Sequence, residues 1–287
     1  MRIPKHWVLG EHREQDPQGR AHRFVAWGSS LTSDEDAERD ARQRAERLAS
    51  AVINGRRPDP YEYLSDRPLK EPIIREMEED GQVAAAITRN RYGAAVLNTA
   101  DICFVDVDTP AGRAKGFFDA IKLIFRPKTA TERFEAARQE QAERIRQWGE
   151  LNGRALRLYQ TARGLRVLMT DGRHDPTSPA TLELFHEFGA DHRYRQLTKA
   201  QECFRARLTP KPWRCGCERP PCSFPFVSHE QREKFDAWLA KYERKRREYA
   251  TCRLVAEVGQ PQDDAQLRLI VGLHDELSGV HTELPLA

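Results

Sequence analysis

Ile102-Cys103-Phe104-Val105-Asp106-Val107-Asp108-Thr109-Pro110 reads as an apolar strand that ends in two acids. Side chains alternate between the faces of a strand, so Asp106 and Asp108 share one face while Val105 and Val107 pack on the other. The carboxylates then stand about 6–7 Å apart at a proline-bounded strand end, a spacing that suits a divalent cation such as Mg²⁺. Acids at a strand end also serve simply to face solvent or to cap a turn. What the rest of the chain brings to that end decides between the two readings.

Several β-type runs surround this strand. Residues 83–87 and 94–97 precede it closely enough to form hairpins or a meander rather than βαβ crossovers. Residues 156–160 and 165–170 read as two strands joined by Ala162-Arg163-Gly164, and 203–208 and 252–258 as two more. An N-terminal hairpin pairs the runs at Trp7 and Phe24 around Asp16-Pro17-Gln18-Gly19. Helices are expected from Ser33 to Gly55, with an apolar stripe of Ala37, Ala41, Ala45, Leu48 and Val52, and then over 117–125. Further helices are expected over 131–151 (charged, a solvated excursion), from Ser178-Pro179 to Gly189, over 191–202 and over 230–249. Residues 56–72 and 209–228 read as loops. The fold class is mixed α+β on a largely antiparallel sheet core with peripheral helices. Three units are expected: an N-terminal hairpin and helix (1–79), a core (80–215) and a C-terminal helical extension with a strand (216–287).

Composition narrows the class. The chain has 287 residues, 39% hydrophobic and 32% charged, with a net charge of +3. It is large enough for a sizeable core, and too nearly neutral for nonspecific nucleic-acid binding by its whole surface. The basic surplus is local: residues 193–219 hold eight Lys/Arg against two acids. No run approaches the roughly 18 apolar residues of a membrane span. No apolar run follows Met1-Arg2-Ile3-Pro4-Lys5-His6, so a cytoplasmic location without membrane partners is expected. Six cysteines then read as thiols or metal ligands.

Three segments carry the candidate chemistry. The first is Asp106-Val107-Asp108. The second is Thr161-Ala162-Arg163-Gly164-Leu165-Arg166, where a glycine lets a ligand approach the backbone and Arg163 and Arg166 suit phosphate oxygens; a plain hairpin with exposed arginines has the same sequence. The third runs from Ala190-Asp191 through Tyr194 to Phe204-Arg205-Ala206-Arg207 and Lys211. Arg205 and Arg207 share a strand face, and Asp191 also fits as a helix N-cap.

In order and character these segments resemble the archaeo-eukaryotic primase superfamily, in its primase-polymerase branch. Asp106 and Asp108 match the first motif. The Gly turn matches the second, with Arg166 where the family carries a phosphate-binding His. Ala190-Asp191, Tyr194, Phe204-Arg205 and Lys211 match the third. The resemblance spans roughly residues 80–215 and implies a primase-polymerase-like catalytic core. It implies that Asp106, Asp108 and Asp191 bind Mg²⁺ or Mn²⁺ and carry catalysis, and that Arg163, Arg166, Arg205, Arg207 and Lys211 cradle the phosphates of a nucleoside triphosphate. Single-stranded or primed nucleic acid is the implied partner and template-directed nucleotidyl transfer the implied activity. A non-catalytic nucleic-acid binder and a metal-dependent nuclease or phosphohydrolase are the alternatives.

Outside the motifs, Arg89 and Arg91 in one turn, and Tyr194, Trp213 and Arg214 among cations, are candidates for nucleic-acid contact. A β-turn with exposed arginines and aromatics anchored in the core are the competing uses. Cys215, Cys217 and Cys222 suit Zn²⁺ if a fourth ligand joins them, or are ordinary thiols in a loop. His274-Asp275 has no partner visible in the sequence and receives no role.

Overall fold

The computed structural model describes residues 1–55, 68–110, 129–190 and 192–287. The expected helix over 117–125, most of the loop over 56–72, and Asp191 lie outside the described residues. Among the described residues the strands form three antiparallel sheets: a two-stranded hairpin and two four-stranded sheets.

The hairpin pairs β1 (His6–Gln15) with β2 (Ala21–Ser30), longer than the apolar runs alone indicate. Helix α1 (Asp34–Ile53) lies on it. The Ser33 side chain accepts from the Asp36 amide and starts the helix. Its buried stripe is Ala37, Ala41, Ala45 and Ala49; Val52 is exposed. Four small residues in one row let the helix backbone approach the sheet closely.

One four-stranded sheet has the order β3 (Ile73–Glu79), β4 (Gln82–Arg89), β5 (Ala95–Thr99), β9 (Phe204–Arg207). The other has the order β10 (Cys252–Val258), β7 (Leu156–Thr161), β8 (Gly164–Met169), β6 (Phe104–Asp108). β4 and β5 form the expected hairpin, but β6 does not continue their meander. Ala100 and Asp101 follow Thr99 into a bend, and the chain crosses to the second sheet, where β6 pairs with β8. β6 and β9, edge strands of the two sheets, run beside each other with no ladder between them. Tyr194 fastens this seam: its hydroxyl lies 2.5 Å from Phe104 O and 3.4 Å from Arg205 O.

Helix α2 (Ala130–Leu151) begins in a capping box between Thr129 and Glu132. It is not wholly a solvated excursion, because Ile145 and Gly149 are buried and Trp148 meets Phe188 edge-on at 4.8 Å. Helices α3 (Pro179–Glu187), α4 (His192–Gln201), α5 (His229–Arg246) and α6 (Ala265–Ser278) follow among the described residues. One core, with Phe104, Val105, Val107, Leu158, Leu165, Val167, Phe185 and Phe204 at its centre, takes in both large sheets and α6. The expected boundaries do not follow this packing. The first, between residues 79 and 80, cuts the β3–β4 hairpin, and β10 and α6 belong to the core.

Candidate functional site

β6 and β8 pair so that Asp106 faces Arg166 and Asp108 faces Gly164. A Cβ on Gly164 would lie 2.1 Å from Val107 O, so only glycine permits this approach of the strands. β8 is buried along its whole length, and the Arg166 side chain is 1% exposed. A buried guanidinium needs acceptors all round. Nε and Nη2 donate to Asp106 Oδ1 and Oδ2 at 2.7 and 3.1 Å, and Nη1 donates to Arg207 O at 2.9 Å. Burial works against charge on both partners, but their attraction outweighs it. The Asp106 carboxyl is held below its usual range and Arg166 above its own.

Behind Arg166 stands the pair given no role from sequence. His274 Nε2 is 3.3 Å from Arg166 Nη1, and His274 Nδ1 is 2.9 Å from Asp275 Oδ1. Burial pushes His274 below its ordinary pKa. A neutral ring with its proton on Nδ1 satisfies both contacts, donating to Asp275 and accepting from Arg166. Asp275 in turn accepts from Arg157 Nη2 at 2.9 Å, and Arg157 Nε donates to Tyr159 Oη at 2.8 Å. The sequence held one signal: Leu267, Ile270, Val271 and His274 recur at helical spacing, which puts His274 on a core-facing stripe.

In front of Asp106 lies a group of cations. Arg207 on β9, Lys211 and Arg214 beyond it, and Arg163 in the β7–β8 turn make no ion pair with a described residue. Burial, and then Arg166, lower Arg207 to about 10. Lys211 is lowered by burial, then by Arg207 and Arg214; Arg214 is lowered by burial, then by Arg163. Each feels the charge of its neighbours, so these four crowd one place. Asp106 and Asp108 are the counter-charges these cations feel, and cations that outnumber the acids beside them favour an anion.

The other candidates are placed differently. Arg166 is turned inward to Asp106, not outward to phosphate. Arg205 shares the Arg207 face of β9, but its Nη2 lies 2.7 Å from both carboxylate oxygens of Glu71. Tyr194 packs against Phe185 at 5.5 Å and holds the seam. Arg89 donates to Gly93 O and pairs with Glu243 at 3.1 Å. All four are engaged in contacts within the protein. Arg91, Arg163 and Trp213 are exposed, and Lys211 and Arg214 half-buried.

The three loop thiols do not meet. Cys215 and Cys217 are neighbours, with Cys215 pushed up to about 11 by burial and then by Cys217. Cys222 donates to Gln231 O at 3.0 Å. Among the described residues no three His, Cys, Asp or Glu side chains are grouped to hold a metal ion. Asp106 and Asp108 remain as a two-carboxylate donor set. Asp106 is held ionised with 42% of its side chain open, and Asp108 is exposed with no ion pair among the described residues. Mg²⁺ binds through one or two carboxylates together with waters and substrate phosphates; Asp108 is open to such a contact, whereas both oxygens of Asp106 already accept from Arg166.

No family model, no curated protein and no solved structure matches this chain.

Proposed function

We propose that the protein is a metal-dependent nucleotidyltransferase of the primase-polymerase kind, acting on a nucleic-acid template. The observation that carries this reading is the crowd of Arg163, Arg207, Lys211 and Arg214, none in an ion pair with a described residue, close enough to Asp106 and Asp108 for Arg207, Lys211 and Arg214 to feel their charge. A polyphosphate neutralises such a group, and arginine forks match its oxygens. Asp106 and Asp108 would hold the cation; Arg166 fixes the orientation of Asp106 from behind. A bound divalent metal would bring the phosphates and an attacking hydroxyl together and offset charge during phosphoryl transfer. Arg207, half-buried and lowered to about 10 by burial and then by Arg166, has Asp106 as a counter-charge and would gain a further one from a bound anion.

A second reading, a nucleic-acid binder without turnover, draws on the Asp106–Arg166 fork. Both carboxylate oxygens are already engaged there, which leaves less of Asp106 for a cation.

Incubation with Mn²⁺, nucleoside triphosphates and a primed or unprimed single strand separates the readings. Extension or primer synthesis that disappears in Asp108→Asn, while oligonucleotide binding persists, supports transfer. Salt-sensitive binding without any product supports the second reading, and shortening of the template would point to hydrolysis instead. Asp108 is the better probe, because Asp106→Asn also strips Arg166 of its counter-charge.

A further inference from the structure

A cavity of about 600 Å³ lies between the paired ends of β7 and β10, the loop that follows β10, and α6. None of the acids and cations considered above lines it. Its floor is buried and apolar, made by Leu156, Val258 and Leu267. One polar residue joins them there: Thr170 is 4% exposed, and its hydroxyl has no hydrogen-bond partner among the described residues. Small-molecule sites run from about 300 to 1,000 Å³ and combine apolar walls with a few placed polar groups.

The mouth is held in shape. Gln262 N donates to Thr170 O at 2.7 Å, and Arg173 Nε donates to Asp264, the N-cap of α6, at 2.9 Å. Gly259 has φ +70°, and a Cβ there would lie 2.9 Å from Arg154 O, so the loop is tied down where it leaves β10. Every charged side chain in the lining is already matched. Arg157 pairs with Glu257 at 2.5 Å and with Asp275 at 2.9 Å, and Arg268 pairs with Asp263. A charged ligand would find no spare counter-ion there, and burying an unmatched charge is costly. Gly272 completes the lining from the interior of α6, where only proline is a poorer helix former. A Cβ on it would meet nothing within 4 Å, so packing does not require the glycine; what its missing side chain leaves is room.

We infer that this cavity binds an uncharged, largely apolar small molecule with one hydrogen-bonding group. The apolar body would lie against Leu156, Val258 and Leu267, and the polar group would meet the Thr170 hydroxyl. Burial of that apolar surface supplies the affinity, and the preformed mouth keeps the ordering cost low. The site is independent of the strand-end acids and of the phosphate-binding reading.

The test uses the full chain and two fluorescent dyes that differ by one charge: uncharged N-phenyl-1-naphthylamine and its sulfonate, 8-anilinonaphthalene-1-sulfonate. The uncharged dye should brighten, saturate at one site per chain and bind about tenfold more tightly than the anion. Gly272→Trp, which places an indole in the opening, should weaken it about tenfold. Gly272→Ala should leave dye affinity unchanged and raise the melting temperature by about 2 °C, because the helix improves while the cavity stays open. Thr170→Val keeps the shape, strips only an unpaired hydroxyl, and should weaken the dye about fivefold through its lost N–H contact. No saturable binding, equal affinity for the two dyes, or unchanged affinity in Gly272→Trp would overturn the site. Unchanged affinity in Thr170→Val would overturn the polar contact assigned to it.

Discussion

Arg166→Met should destabilise the fold by about 1–3 kcal/mol, read by urea unfolding, because it takes the donors from the buried Arg207 carbonyl and His274 ring as well as from the part-open Asp106 carboxylate. A loss below 1 kcal/mol would show that the fork contributes little. His274 yields a pH prediction. Its folded pKa lies below the ordinary 6.5, so the unfolded chain takes up a proton that the native ring refuses. Stability should therefore fall as pH drops below about 6.5, continuing until the folded pKa is reached. His274→Gln should flatten that segment of the profile. Asp106 and Asp275, both depressed, act only at lower pH, where their protonation removes further stability. The acids and the cations could be named from sequence because their types and spacing are local. The inward turn of Arg166 could not, since it depends on the register that sets it opposite Asp106 and on a helix 108 residues away.

Gly164→Ala tests the pairing of β6 with β8. The added methyl meets the Val107 carbonyl oxygen at 2.1 Å, and the strands must part to admit it. A loss of about 1–3 kcal/mol in thermal or urea unfolding is expected, the usual cost of overpacking. Most elements were legible for comparable local reasons. Ser33 and Ser178 cap the helices that follow them, and the apolar runs of β7 and β8 flank a two-residue turn. β3 was missed because Ile73-Ile74-Arg75-Glu76-Met77-Glu78-Glu79 is rich in charge; as an edge strand it needs only one partner and tolerates acids facing water. The step of β6 into a different sheet from β5 was also illegible. Both strands look alike locally, and only packing assigns them.

Across the molecule, the cation group should make oligonucleotide binding steeply dependent on salt. Each phosphate neutralised on a single strand contributes about −0.7 to the slope of log K against log salt. Arg214→Gln should make that slope shallower by about this amount, measured by anisotropy at several salt concentrations. An unchanged slope would remove Arg214 from the contact. Net charge alone gave no hint of this strength, because +3 averages acidic helices with one basic region.

The seam between β6 and β9 bears on how such a ligand is felt. The acids hang from one β-layer, while Arg207 and the loop bearing Lys211 and Arg214 extend from the other. A phenol and one guanidinium, rather than a ladder, join the two strands there. Anything that grips both acts as a rivet across a joint the backbone left unstitched. Triphosphate with Mn²⁺ should therefore slow hydrogen exchange along β6 and β9 together, more than either component alone.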